Sequence, residues 1–253
     1  MITVETKDYV STITIRREDK LNAMTPEMAS QLSNIVNELN NSNDCRVVVL
    51  TGGKKVFCAG SDIKSLDEYP TPWDFRVRKN DYTRSIRRIR KPVIAMISGY
   101  CLGGGLEMAV NADMRFADPT AKFGTPEVNW GWIGGGGASQ ILPRLIGFGN
   151  AMEMLVSGRT YDAKEAVSIG LVNRVISADE LETETYELAN QIAQKAPIAT
   201  QVIKQAVRMS MNIGIESGLD YENELVHITF STEDKEEGVK AFKEKRKPNF
   251  MGR

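Results

Sequence analysis

The stretch from Pro92 to Ala112 constrains the fold of this chain more than any other, because its only charged side chain is Glu107. It opens on Pro92-Val-Ile-Ala-Met-Ile97, an apolar run that reads as a strand buried on both faces. Gly99, Gly103, Gly104 and Gly105 then break the strand, and a helix is expected from about Gly104 to Asn111. Strand, tight turn and apolar helix in succession point to an α/β core. The stretch approaches membrane-spanning length, yet Ser98, the glycines and a glutamate in its middle argue against a transmembrane helix. A carboxylate among apolar residues is costly to ionise, so its pKa rises toward neutrality. Further on stands Glu127, followed from Val128 to Pro143 by a second segment without charge. Two such carboxyls converging on one pocket would suit proton transfer near neutral pH.

The rest of the chain extends this pattern. Residues 2–15 read as a hairpin turning at Lys7-Asp8. Thr25 and Pro26 supply a cap and a first helical position, and Met28, Leu32, Ile35, Val36 and Leu39 give that helix an apolar face to about Asn40. Arg46–Leu50 reads as a buried strand, Val56–Lys64 as a strand end turning into a short helix, and 66–72 as irregular. Trp73–Arg90 reads as a basic helix carrying Arg76, Arg78, Lys79, Arg84, Arg87, Arg88 and Arg90. Short strands are expected at Met114–Ala117 and Ala121–Phe123, and helices over Gly134–Leu145, Gly149–Ser157 and Asp162–Ile169. Leu171–Ile176 reads as a strand, and Ser177 to Glu180 as a capping box. No strand signal remains after Pro197, so a strand-and-helix core over 1–195 is followed by an all-helical segment over 196–253.

Composition removes several function classes. The net charge is -1, which gives no bulk attraction for nucleic acid. Cys45, Cys58 and Cys101 are odd in number and show no CxxC spacing, and His227 is the single histidine. Neither a disulfide framework nor a zinc site is expected, and a reducing cytoplasm fits best. The start, Met1-Ile-Thr-Val-Glu, lacks the basic and apolar regions of a signal peptide. The glycines fit neither GxGxxG nor GxxxxGK[ST], so no nucleotide-phosphate loop is read. Glycines between a strand and a helix have a second use, aiming free N–H groups at an anionic oxygen. Cys58 and Cys101 have no histidine near them in the chain, which argues against thiol catalysis.

Three ordered blocks, Phe57-Cys-Ala-Gly-Ser-Asp-Ile-Lys64, Ser98 to Ala109 and Phe123-Gly-Thr-Pro-Glu-Val-Asn-Trp-Gly131, resemble the signatures of the enoyl-CoA hydratase/isomerase (crotonase) family. Lys20-Leu-Asn-Ala23 near the start, Ser157-Gly-Arg to Val172, and Phe242 to Pro248 extend the resemblance over nearly the whole chain. It implies a crotonase-type spiral of ββα units, followed by a C-terminal helical segment used for homo-trimer or homo-hexamer contacts. It implies an oxyanion hole formed by the backbone N–H groups of Ser61 and Gly104. Coenzyme A contacts fall on Ala23, Ala59, Ser61, Asp62, Ile63, Lys64 and Gly104, with further phosphate contacts from the basic helix or from Lys243, Lys245, Arg246 and Lys247. Glu107 and Glu127 match the two acid/base glutamates of true hydratases. Glu127 then exchanges a proton at Cα, while Glu107 positions and activates the water added at Cβ. Coenzyme A enters only as part of the acyl-CoA substrate; no metal, other cofactor, nucleic acid or membrane is implied.

One segment departs from the family. Where members usually have Gly-x-x-Pro-Gly-x-Gly-Gly, this chain has Gly131-Trp-Ile-Gly-Gly-Gly-Gly-Ala138. Trp130, Trp132 and Gly135 are expected at the acyl end of the pocket, where the indoles reshape it; alternatively both tryptophans are core residues. Hydration of a 2-enoyl-CoA is the leading expectation. An enoyl-CoA isomerase, another family reaction on a functionalised or aromatic acyl-CoA, and a non-catalytic acyl-CoA or RNA binder are the alternatives. The presence of both carboxyls speaks against the isomerase and the binder.

Overall fold

The computed structural model describes residues 1–68, 71, 73–74 and 81–253. Its strands are β1 (Ile2–Lys7), β2 (Val10–Ile15), β3 (Val47–Thr51), β4 (Val93–Ile97), β5 (Tyr100–Leu102), β6 (Met114–Ala117), β7 (Lys122–Gly124), β8 (Tyr161–Asp162) and β9 (Arg174–Val175). Its α-helices are α1 (Pro26–Asn41), α2 (Tyr82–Arg88), α3 (Gly104–Asn111), α4 (Ala138–Ile146), α5 (Phe148–Ser157), α6 (Ala163–Ser168), α7 (Leu181–Ala193), α8 (Pro197–Ser210), α9 (Ile215–Phe230) and α10 (Glu233–Glu244). One sheet has the order β1-β2-β3-β4-β6-β9 and a smaller one the order β5-β7-β8. The large sheet is parallel apart from the β1–β2 hairpin.

The uncharged strands are explained by the two layers they separate. All of β3 is buried, and its side chains alternate. Val48 and Leu50 join the large cluster with Leu32 and Val36 of α1 and Leu106 and Met108 of α3. Val47 and Val49 face Leu181, Ala189 and Ala193 of α7 on the other side. A strand covered on both faces has no position left for a charge. β4 follows the same rule, with Val93, Ala95 and Ile97 toward one layer and Ile94 toward the other.

The hairpin turns one residue later than expected, at Asp8 and Tyr9, both with positive φ. Thr25 caps α1, accepting from the Met28 N–H, and Pro26 occupies its first turn. Three expectations are corrected. The helix expected from Gly134 starts at Ala138, because consecutive glycines lose too much entropy in a helix and the Gly136 N–H finds another acceptor (below). The strand expected over 171–176 shrinks to Arg174–Val175, since the Leu171 and Val172 N–H groups turn back to the Ala166 carbonyl. Ser177 does bond Glu180, at 2.6 Å, but the helix begins at Leu181 and has no side-chain cap. Of the basic helix, α2 accounts for Tyr82–Arg88, and Arg76, Arg78 and Lys79 lie outside the described residues. The three C-terminal helices lie where the sequence places them, and no helix among the described residues is long and apolar enough to cross a membrane.

Candidate active site

Two chain segments run side by side at the heart of the molecule. Cys58 bridges Cys101 in parallel, and the Leu102 N–H donates to the Cys58 carbonyl at 3.0 Å. Each segment then turns through a glycine in the left-handed region, Gly60 (φ 103°) and Gly103 (φ 53°), which L-residues adopt only at a cost. The residues just past the turns are Ser61 and Gly104. Among the described residues, neither N–H has a protein acceptor. The turns stand close together, for a Cβ on Gly60 would lie 3.1 Å from the Gly104 nitrogen. Two N–H groups therefore present themselves at one place, one of them at the N-terminus of α3, where the helix dipole adds to their attraction for negative charge.

Glu107 lies in the first turn of α3 and is 4% exposed. Its Oε1 accepts from the N–H of Gly136 at 2.7 Å and of Ala138 at 3.2 Å. The glycine segment after Trp132 thus wraps this carboxyl, and Asn111, one turn further along α3, holds the Gly136 carbonyl at 3.0 Å. The departure from the family pattern acquires a physical reason here. A Cβ at position 134 would lie 2.6 Å from Glu107 Oε1, and one at 136 would lie 2.5 Å from Oε2, so the segment approaches only because it is glycine. Burial pushes the Glu107 pKa up to about 7, against the pull of the two N–H bonds and with help from the charge of Glu127.

Glu127 arrives from another direction. The Gly103 N–H bonds the Gly124 carbonyl at 2.9 Å at the end of β7, Thr125 anchors to the Met154 carbonyl at 3.1 Å, and a 3-10 turn runs over Pro126–Trp130. This delivers Glu127 Oε1 to within 2.7 Å of where a Cβ of Gly103 would sit, beside the free Gly104 N–H. Its Oε2 is buried with no hydrogen-bond partner among the described residues, and burial raises its pKa. An unpartnered buried oxygen on a carboxyl is poised to take or give a proton.

The remaining expected positions sort themselves around this centre. Asn22, fully buried, donates to the carbonyls of Gly52, Val56 and Phe57 and so fixes Leu21 to Met24 alongside 59–62. The Ala59 N–H bonds the Leu21 carbonyl, and the Met24 N–H bonds the Gly60 carbonyl, which places Ala23 next to Ala59 and Ser61. The Asp62 carboxylate is engaged by Arg17 at 2.7 Å, which holds its pKa below the ordinary range, and it also accepts from the Lys64 N–H. Ile63 and Lys64 are exposed. Arg246 is taken up by Glu237 and Glu244, while Lys243, Lys245 and Lys247 form no ion pair among the described residues. Trp130 and Trp132 are 63% and 41% exposed, which overturns the core alternative, and Gly135 is exposed beside them. Cys58 and Cys101 are fully buried thiols, the former pushed up to about 12 and the latter upward as well by burial. Among the described residues, no three His, Cys, Asp or Glu side chains gather to hold a metal ion.

The Enoyl-CoA hydratase/isomerase family profile matches residues 5–253. The chain belongs to this family. Its relatives include the short-chain-enoyl-CoA hydratase of Clostridium acetobutylicum, 38% identical over 97% of this chain and 95% of that one. The (E)-benzylidenesuccinyl-CoA hydratase of Thauera aromatica is 37% identical over 99% of each. Among solved structures, the enoyl-CoA hydratase of Bacillus anthracis superposes with a TM-score of 0.91 at 36% identity, covering 100% of this chain and 99% of that one. The sheet order and helical C-terminal segment described above are thus those of the crotonase fold. Sequence reading missed two residues that contact this centre. Asn111 was discoverable, as a polar side chain four residues after Glu107 in an otherwise apolar helix. Tyr82, which bonds Ser61, had no signal, since the contact joins residues far apart in sequence.

Proposed function

We propose that the protein is an enoyl-CoA hydratase, adding water reversibly across the 2,3 double bond of a 2-enoyl-CoA thioester to give the 3-hydroxyacyl-CoA. One observation carries this reading: a buried carboxyl, Glu107, and a half-buried one, Glu127, both with raised pKa values, are placed around two free N–H groups. The thioester oxygen sits against the N–H groups of Ser61 and Gly104. Water attacks Cβ while Glu107, ionised, takes its proton. The negative charge that develops on the thioester oxygen is stabilised by the two N–H groups, which are oriented before the reaction begins. Glu127, protonated, then delivers its proton to Cα, and dehydration runs the same steps backwards. The pair must therefore share one proton, which their mutual repulsion favours near neutral pH. The backbone of Ala23, Ala59 and Ser61–Lys64 supports the coenzyme A portion. Trp130, Trp132 and Gly135 edge the acyl end, and no group beyond these residues and the substrate is needed for the chemistry.

The helices after residue 196 present Ile203, Val207, Ile215, Leu219, Phe230 and Phe242 to the outside, and α8 and α9 enclose an apolar groove of about 530 Å³. An exposed apolar surface of this kind supports assembly as a homo-trimer or homo-hexamer through residues 196–253. The three buried, unpaired thiols fit a cytoplasmic protein. The test is incubation with 2-butenoyl-CoA and cinnamoyl-CoA in ¹⁸O-labelled water. A hydratase yields a product heavier by one labelled water. An isomeric product without label would support the isomerase instead.

A further inference from the structure

The two N–H groups of the proposed hole belong to different segments, and the backbone ladder does not fix their separation. The segments are joined by bonds from Phe57 and Cys58 to the Tyr100 carbonyl and from Leu102 to the Cys58 carbonyl, but past these no backbone hydrogen bond among the described residues joins 60–61 to 103–104. Tyr82 spans that gap. It is the first residue of α2, whose N-terminus is capped by the Asp81 carboxylate accepting from the Thr83 and Arg84 N–H groups at 3.0 and 3.3 Å. Its ring is buried in the main apolar cluster, and its hydroxyl lies 2.7 Å from Ser61 Oγ. The same hydroxyl fills the space a Cβ on Gly104 would need, so Gly104 and Tyr82 are in direct contact. One side chain from a third element touches both halves of the hole. Burial moves the phenol pKa further upward, so the group stays a neutral hydroxyl through the working pH range.

Resting on the hydratase reading, we infer that Tyr82 is a positioning residue that sets the aim of the Ser61 and Gly104 N–H groups through its bond to Ser61 Oγ and its contact with Gly104. Donors aligned in advance stabilise a developing oxyanion far better than donors that must reorganise. A misplacement of about 1 Å can cost on the order of a hundredfold in rate. Tyr82 does not exchange protons with the substrate; it acts through the backbone it holds.

Two variants break the same bond from opposite ends. Tyr82→Phe keeps the ring against Gly104 and loses the hydroxyl, while Ser61→Ala keeps the N–H and loses Oγ. Each is assayed by steady-state hydration of 2-butenoyl-CoA. Each is also assayed by the absorption of bound 2,4-hexadienoyl-CoA, which moves to longer wavelength when its carbonyl is polarised and needs no turnover. Each single variant is expected to lower kcat about five- to tenfold, the range of one net hydrogen bond. KM should stay within about twofold, and the wavelength shift should shrink in step. The double variant should be no worse than the worse single one, because both remove one interaction. Wild-type kcat and wavelength shift in Tyr82→Phe would overturn the inference, as would losses that multiply in the double variant. Should Tyr82→Phe not fold, Ser61→Ala alone decides, and an undiminished wavelength shift there has the same force. A wild-type protein that polarises the dienoyl thioester but hydrates nothing would remove the hydratase reading, while the wavelength comparison would still judge Tyr82.

Discussion

Glu107→Gln should make this protein more stable at alkaline pH while disabling it. The carboxyl is 4% exposed, and its pKa rises from 4.5 to about 7 on folding, chiefly through burial. At about 1.4 kcal/mol per pH unit, keeping it ionised in the folded state costs ~3 kcal/mol. The sign follows from proton counting. Below about pH 4.5 both states carry the proton and the group contributes nothing; between 4.5 and 7 only the folded state keeps it, so stability falls as pH rises; above 7 the penalty is constant. Glutamine has the same shape, and its Oε1 can accept the Gly136 and Ala138 N–H groups as the carboxyl does. The variant should gain ~3 kcal/mol over wild type at pH 8 and less than about 1 kcal/mol at pH 5, read from urea unfolding at one fixed protein concentration. An equal gain at both pH values would show packing, not ionisation, to be the cause. No gain at pH 8 would refute the claim that Glu107 is a strained carboxylate.

Three further outcomes follow from the same geometry. The pH profile of kcat/KM should be a bell, losing activity below about pH 7 as Glu107 takes up the proton it must lack to act as base, and losing it again at higher pH as Glu127 gives up the proton it must donate; a flat profile from pH 5 to 9 would contradict the shared proton. Gly136→Ala would place a methyl 2.5 Å from Glu107 Oε2 and against Thr83, so thermal unfolding should show a loss of ~1–3 kcal/mol together with lower kcat. Asn22→Ala would strip the carbonyls of Gly52, Val56 and Phe57 of a buried donor, at a cost of ~2–4 kcal/mol measurable by urea unfolding, far more than an exposed asparagine would show.

Much of the fold was legible because burial writes itself into sequence. A strand packed on both faces excludes charge, so β3 and β4 stand out, and Thr25-Pro26 marks the start of α1 through simple capping chemistry. Glu107 could be found as the single charge in an apolar stretch, a placement that only a compensating function or partner explains. What could not be read is contact between distant segments. The helix expected across Gly134–Gly137 was wrong because periodicity cannot show that the Gly136 and Ala138 N–H groups are drawn to Glu107. The meaning of the missing proline at position 134 emerged only when Glu107 was seen against its Cα. The same holds for the tryptophans: composition suggests burial for an indole, but Trp130 ends a short turn that projects from the surface. Tyr82 offered no pattern at all, because its partner Ser61 lies 21 residues away in the chain.

The most direct test is the absorbance of the conjugated thioester on mixing the protein with 2-enoyl-CoAs of short and aromatic acyl groups, with Glu107→Gln and Glu127→Gln measured in parallel. The two-carboxyl mechanism predicts rapid loss of absorbance with wild type and a fall of about a hundredfold or more in each variant, the scale of losing a general acid or base. Wild-type rates in either variant, or unchanged absorbance with every thioester in a protein that still binds coenzyme A, would contradict it.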